Sequence, residues 1–157
     1  MFSPEKLHQL TLQVTKIARD AGDFQLIELK NFELKNIESK GRSNDLVSYV
    51  DKETEKMLIE ALRKIVPEAG FETEEGTIEQ STTGLRWIID PLDGTTNYLH
   101  KIPVFSTSIA LAQDEELLIG VVHEPSRNEC FYAYKDGGAF MNGEPIEVSK
   151  IQTLSES

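Results

Sequence analysis

Asp90 and Asp93 stand on either side of Pro91-Leu92, directly after the apolar run Trp87-Ile88-Ile89. The run predicts a strand that delivers Asp90 to its tip. Pro91 has a fixed φ and no N–H to donate, so pairing is expected to stop there. Two carboxylates and the carbonyl of Leu92 on one turn are hard oxygen donors of the kind Mg²⁺ accepts. Gly94 lacks a Cβ, which lets backbone amides approach an anion. Thr95 to His100 predicts a short helix, ended by Pro103, whose first amides suit a phosphate. The chemistry open to such a set is hydrolysis of a phosphate ester, in which positioning and charge neutralisation dominate. Divalent cations would activate water and offset the phosphate's charge. No activated serine or cysteine nucleophile is evident. Asp-Pro-x-Asp-Gly is also an ordinary turn composition, because Asp and Gly favour turns for local reasons. Those five residues alone leave both readings open.

The bulk numbers narrow the choice. A chain of 157 residues with 39% hydrophobic residues suits one domain with a buried core. Sixteen basic against 27 acidic residues give a net charge of -11. No basic patch is visible, so nucleic acid is not an expected partner. A field this negative repels a phosphorylated substrate, so a phosphate site here needs cations that reverse the local sign. No run approaches the roughly 20 apolar residues of a membrane span. The first residues lack the apolar stretch of a secretory signal. Cys130 is the only cysteine and cannot form an internal disulfide, which fits a reducing cytoplasm. Set in Cys130-Phe131-Tyr132, it reads as inert core.

The elements that must position the acidic turn fall into two halves. Residues 4 to 30 predict a helix, with Leu7, Leu10, Val14, Ile17, Ala18, Ala21 and Phe24 on one stripe. Gly41 to Asp45 reads as a loop. A second helix is expected from Leu46 to Val66, its apolar face formed by Val47, Val50, Met57, Leu58, Ala61, Leu62 and Ile65. Glu53, Glu55, Lys56 and Glu60 read as its solvated face. Short strands then follow: Arg86 to Asp90, Phe105 to Leu111, Leu117 to His123, Glu129 to Tyr134 and Ala139 to Met141. Asp114-Glu115-Glu116, Asp136-Gly137-Gly138 and Asn142-Gly143 are turns. Trp87 and the region of Phe105 read as core, and His100 as structural or solvent-facing. The class is α+β, two long helices packed on an antiparallel sheet. The polar end Leu154-Ser155-Glu156-Ser157 lacks a closing element and reads as a cut.

The longer string Ile89-Asp90-Pro91-Leu92-Asp93-Gly94-Thr95-Thr96-Asn97 resembles the metal-binding signature of the inositol monophosphatase family. Asp45 to Asp51, Phe71 to Glu75, Gly120-Val121-Val122 and Gly138 to Gly143 resemble further family segments in family order. The resemblance covers Asp45 to Val148. It implies the N-terminal half of an αβαβα layered sandwich, with residues 1–157 as the N-terminal metal-binding domain and the family's C-terminal α/β domain absent. It implies Mg²⁺-dependent hydrolysis of a small phosphate monoester such as inositol monophosphate, inhibition by lithium, and a homodimer. Glu74, Asp90 and the Leu92 carbonyl would bind a first ion, Asp90 and Asp93 would share a second, and a looser third would lean on Glu74. Asp51 and Thr95 would polarise the attacking water, with Glu75 supporting the site by accepting hydrogen bonds. The amides of Gly94, Thr95 and Thr96 would hold the phosphate. Thr73 stands where the family usually has glycine. The family's second ion takes another Asp from a Trp-Asp motif in the second domain, and nothing after Lys150 supplies one. Asp93 to Asn97 fits the inositol branch better than the sulfur-nucleotide branch, where lysine commonly follows the first Thr. A 3′-phosphoadenosine phosphate or sugar-bisphosphate phosphatase, and a non-catalytic metal-binding or dimerisation fragment, are the alternatives.

Overall fold

The computed structural model describes residues 2–36, 43–151 and 153, and along 32–36 and 43–48 the backbone alone. The order is α1 (Pro4–Asn36), α2 (Ser43–Ile65), β1 (Gly70–Thr73), β2 (Leu85–Asp93), α3 (Thr95–Leu99), β3 (Ser106–Gln113), β4 (Glu116–Glu124), β5 (Glu129–Tyr134), β6 (Gly138–Met141) and β7 (Glu144–Ile146). The strands form one sheet in chain order. All neighbours are antiparallel except β1 and β2, which run parallel. Both long helices pack on this sheet, so the class is α+β as expected, with a mixed rather than purely antiparallel sheet.

The apolar stripe of α1 is the reason it lies where it does: Leu7, Leu10, Val14, Ala18 and Ala21 are all 3% exposed or less. They meet Leu58 and Leu62 of α2 and a sheet face built from Trp87, Ile89, Ile109, Leu111, Ile119, Val121, Cys130 and Tyr132. At roughly 1.5–3 kcal/mol per large apolar side chain, this burial is the main force holding the layers together. Trp87 and Cys130 are core, as their setting indicated. A smaller cluster of Val50, Leu92, Tyr98 and Phe105 lies at the end of the sheet where the acidic turn sits. Among the described residues no helix is long and apolar enough to cross a membrane.

Several boundaries differ from the sequence reading. α1 runs on to Asn36, and α2 begins at Ser43 rather than Leu46. Ser, Asn and Asp are favoured at helix starts, so Ser43-Asn44-Asp45 is a start signal as much as a loop signal; Gly41 and Arg42 fall outside the described residues. Met57, expected on the apolar face of α2, is exposed. β1 and β7 were not anticipated. The turn before β7 is Asn142-Gly143, with φ of 51° and 95°, the left-handed pair that a two-residue hairpin demands.

Candidate active site

Two features of the sheet bring the acidic residues together. Parallel strands end at the same edge, and β1 pairs with β2 so that Thr73 faces Ile89. The next residue of each, Glu74 and Asp90, therefore leaves the ladder at the same place, and the Glu74 amide donates to the Ile89 carbonyl at 3.3 Å. The second feature corrects the expectation that Pro91 ends the pairing. β2 continues through an irregularity: Asp90 pairs with Ser108 and Asp93 with Ser106, so Pro91 and Leu92 together oppose Thr107. Plain alternation would put residues three apart on opposite faces. The extra residue turns Asp93 back to the face of Asp90. Leu92 is fully buried beneath the turn and Pro91 is also buried.

The carboxylates crowd one another. The pKa of Asp90 is pushed up to about 7 by burial first, then by Glu74 and Asp93. Asp51, 5% exposed on α2, is also raised to about 7, by burial and by the charges of Glu75, Glu74, Asp90 and Glu55. Oδ1 of Asp90 is buried with no hydrogen-bond partner, a position that costs about 1–3 kcal/mol unless something ligates it. The donor set is entirely oxygen, as Mg²⁺ requires. Among the described residues no group of three or more His, Cys, Asp or Glu side chains is placed to hold a metal ion by itself.

The rest of the predicted set lies around this pair. Thr95 opens α3, and its hydroxyl donates to the Leu92 carbonyl at 3.0 Å, which leaves the hydroxyl oxygen free to accept. Asp93 and Thr96 are exposed. Gly94 is needed for a reason other than amide access. Its φ is 88°, and a Cβ there would stand 2.9 Å from the Val104 carbonyl and 3.2 Å from Phe105 Cα. Gly94→Ala should cost about 1–2 kcal/mol for the left-handed backbone alone, more with the clash. Urea unfolding checks this, and an unchanged midpoint would refute it. A cavity of about 310 Å³ opens beside Asp93 and Gly94, walled in part by Val104, Val122 and Phe131. His100 is exposed.

One residue that sequence reasoning placed on the solvated face belongs here. Glu55 is fully buried. Its Oε2 accepts from the Glu75 amide at 2.8 Å, and its Oε1 from the Thr77 amide at 2.8 Å and the Thr77 hydroxyl at 2.5 Å. The loop carrying Glu74 and Glu75 is thus tied to α2 one helical turn beyond Asp51. The usable signal was the i, i+4 spacing of Asp51 and Glu55, which puts both on one face. Thr73, in place of the family's glycine, is accommodated. Gln80 accepts from its amide at 2.7 Å and donates to its hydroxyl at 3.1 Å, and the positive φ of this loop falls at Gly76.

A layered α+β fold with paired carboxylates at the tip of β2 places the chain in a known class: it belongs to the inositol monophosphatase family, whose model matches residues 6–157. It is 39% identical over 141 residues to the fructose-1,6-bisphosphatase/inositol-1-monophosphatase of Thermotoga maritima, covering 90% of this chain and 54% of that protein. The inositol monophosphatase of Anabaena (Nostoc) superposes with a TM-score of 0.78 at 31% identity, over 95% of this chain and 53% of that one. SaIMPase-II, solved with inositol monophosphate bound, gives a TM-score of 0.69 at 26% identity, over 90% of this chain and 50% of that one. The chain spans about half the length of the curated relatives it matches.

Proposed function

We propose that this chain carries the metal- and phosphate-binding part of a Mg²⁺-dependent phosphomonoesterase acting on a small ester such as inositol monophosphate. The observation that carries the reading is the Glu74–Asp90 pair: two carboxylates brought to one sheet edge by the parallel pairing of β1 and β2, with a buried Asp90 oxygen left unpartnered. Glu74, Asp90, Asp93 and the Leu92 carbonyl would hold the ions. Bound Mg²⁺ would supply charge neutralisation toward the phosphate and acidify water. Asp51 and Thr95 orient the attacking water, Thr95 as an acceptor because its proton is committed to Leu92. Glu75 supports the loop and adds to the charge around Asp51. Amides of Gly94, Thr95 and Thr96 at the first turn of α3, which lack helical acceptors, donate to the phosphate. Further ligands and most of the substrate pocket would come from a second domain, matching the half of the relatives that these residues do not cover.

A sugar bisphosphate is the second reading, favoured by the Thermotoga maritima relative, which is named for both activities. Phosphate release from inositol 1-phosphate and fructose 1,6-bisphosphate tests both. It is to be measured in the protein and in a hybrid bearing the second half of that relative. Release that rises with Mg²⁺ and stops on chelation is expected in at least one of them. Release that persists in excess EDTA would overturn the metal-dependent reading.

A further inference from the structure

We infer that Gln25, on α1, is a positioning residue for the acidic turn, a role that builds on the metal-site reading above. Gln25 is fully buried. Its Nε2 donates to the Pro91 carbonyl at 2.7 Å and reaches the Thr107 hydroxyl at 3.1 Å. The Thr107 hydroxyl donates to the same carbonyl at 3.0 Å. A carbonyl can only accept, so the amide orientation follows from chemistry.

Pro91 is the residue at which β2 slips its register, and its carbonyl belongs to the peptide joining Pro91 to Leu92. That peptide plane sets how Asp90, the Leu92 carbonyl and Asp93 stand relative to one another. Both acceptor positions of the Pro91 carbonyl are taken, one by a helix and one by the neighbouring strand, so the plane cannot turn freely. The cost falls on Gln25 itself, whose Oε1 is buried without a partner. A leucine would fill the same space with no orphaned acceptor, so fold stability alone does not explain a glutamine here.

The same residue grips the other side of the turn. The Tyr98 hydroxyl, from α3, donates to the backbone carbonyl of Gln25 at 2.8 Å. The Tyr98 ring packs edge-on against Phe105 at 5.0 Å between centroids. The peptide before Leu92 and the helix after Gly94 are therefore both referenced to one point on α1.

The test uses Mn²⁺ alone as the probe, titrated calorimetrically into the wild type, Gln25→Leu, Thr107→Val and Val14→Ala. Val14 is fully buried on α1 among the main-core residues, so its truncation lowers stability without touching the turn. Gln25→Leu and Thr107→Val should each weaken Mn²⁺ binding about tenfold, as loss of a group that orients a ligand generally does. Val14→Ala should leave the affinity unchanged while lowering the unfolding midpoint. In the ion-free protein, amide exchange at Asp93 and Gly94 should quicken about tenfold in Gln25→Leu. Wild-type affinity together with wild-type exchange in Gln25→Leu would overturn the inference. A wild type that takes up no Mn²⁺ would instead strike the metal reading, and the exchange measurement would still decide the role of Gln25.

Discussion

Asp90→Asn is expected to remove turnover and, in the ion-free protein, to raise stability. Asp90 is the carboxylate assigned to both ions, so neutralising it weakens the charge on which each depends. A loss of about 10³-fold in kcat/KM, or about 4 kcal/mol of transition-state stabilisation, is the scale expected. Stability moves the other way because the folded protein holds this group away from its preferred state. Burial, Glu74 and Asp93 raise its pKa to about 7. An acid whose pKa is raised on folding binds more protons folded than unfolded between its two values. Stability therefore falls as pH rises from about 4 to about 7 and levels off above. The gain from Asp90→Asn should be largest at pH 8 and small at pH 4. Urea midpoints at both pH values in EDTA give the comparison. A variant less stable than wild type at pH 8 would mark Asp90 as a structural group.

The two helices and the α+β class were legible in the sequence; the strand that carries Glu74 to Asp90 was not. Asp90-Pro91-Leu92-Asp93-Gly94 marks a turn because each residue acts locally, through carboxylate donors, a fixed φ and a left-handed glycine, but only the longer string to Asn97 separated a candidate site from an ordinary turn. The helices were legible from period alone, since Leu7, Leu10, Val14, Ala18 and Ala21 face one core. β1 was not. Gly70-Phe71-Glu72-Thr73 has one large apolar residue, and its parallel pairing with Arg86 to Ile89 is a fact of tertiary structure. The Pro91 expectation was right about the residue and wrong about the strand. Proline cannot donate to the ladder, but one extra residue lets the ladder resume at Asp93. Gln25 and Glu55 escaped for a shared reason. Polar residues on a helix are assigned to water by default, whereas their partners lie 66 and 20 residues away in sequence.

Glu55 gives the sharper test of that lesson. A buried carboxylate needs its lone pairs satisfied. Here three donors meet it: the amides of Glu75 and Thr77 and the Thr77 hydroxyl. Glutamine keeps the shape but offers one acceptor oxygen and an NH₂. If the oxygen faces the two Thr77 donors, the NH₂ confronts the Glu75 amide, donor against donor. The damage then falls on the residue next to Glu74. Removing the charge also relieves Asp51, whose pKa Glu55 helps to raise, but Glu55 is the smallest of the causes acting there. Glu55→Gln should therefore cost about 2–3 kcal/mol of stability, the scale of an unsatisfied donor plus lost charge-assisted bonds. It should also weaken Mn²⁺ binding about tenfold through the loosened loop. Glu53→Gln, two residues earlier on the same helix, is the matched control. Glu53 is paired with Lys56 on the surface, so the same change there should stay within about 0.5 kcal/mol. Equal effects from the two substitutions would mean that the burial of Glu55 does not hold the Glu74 loop in place.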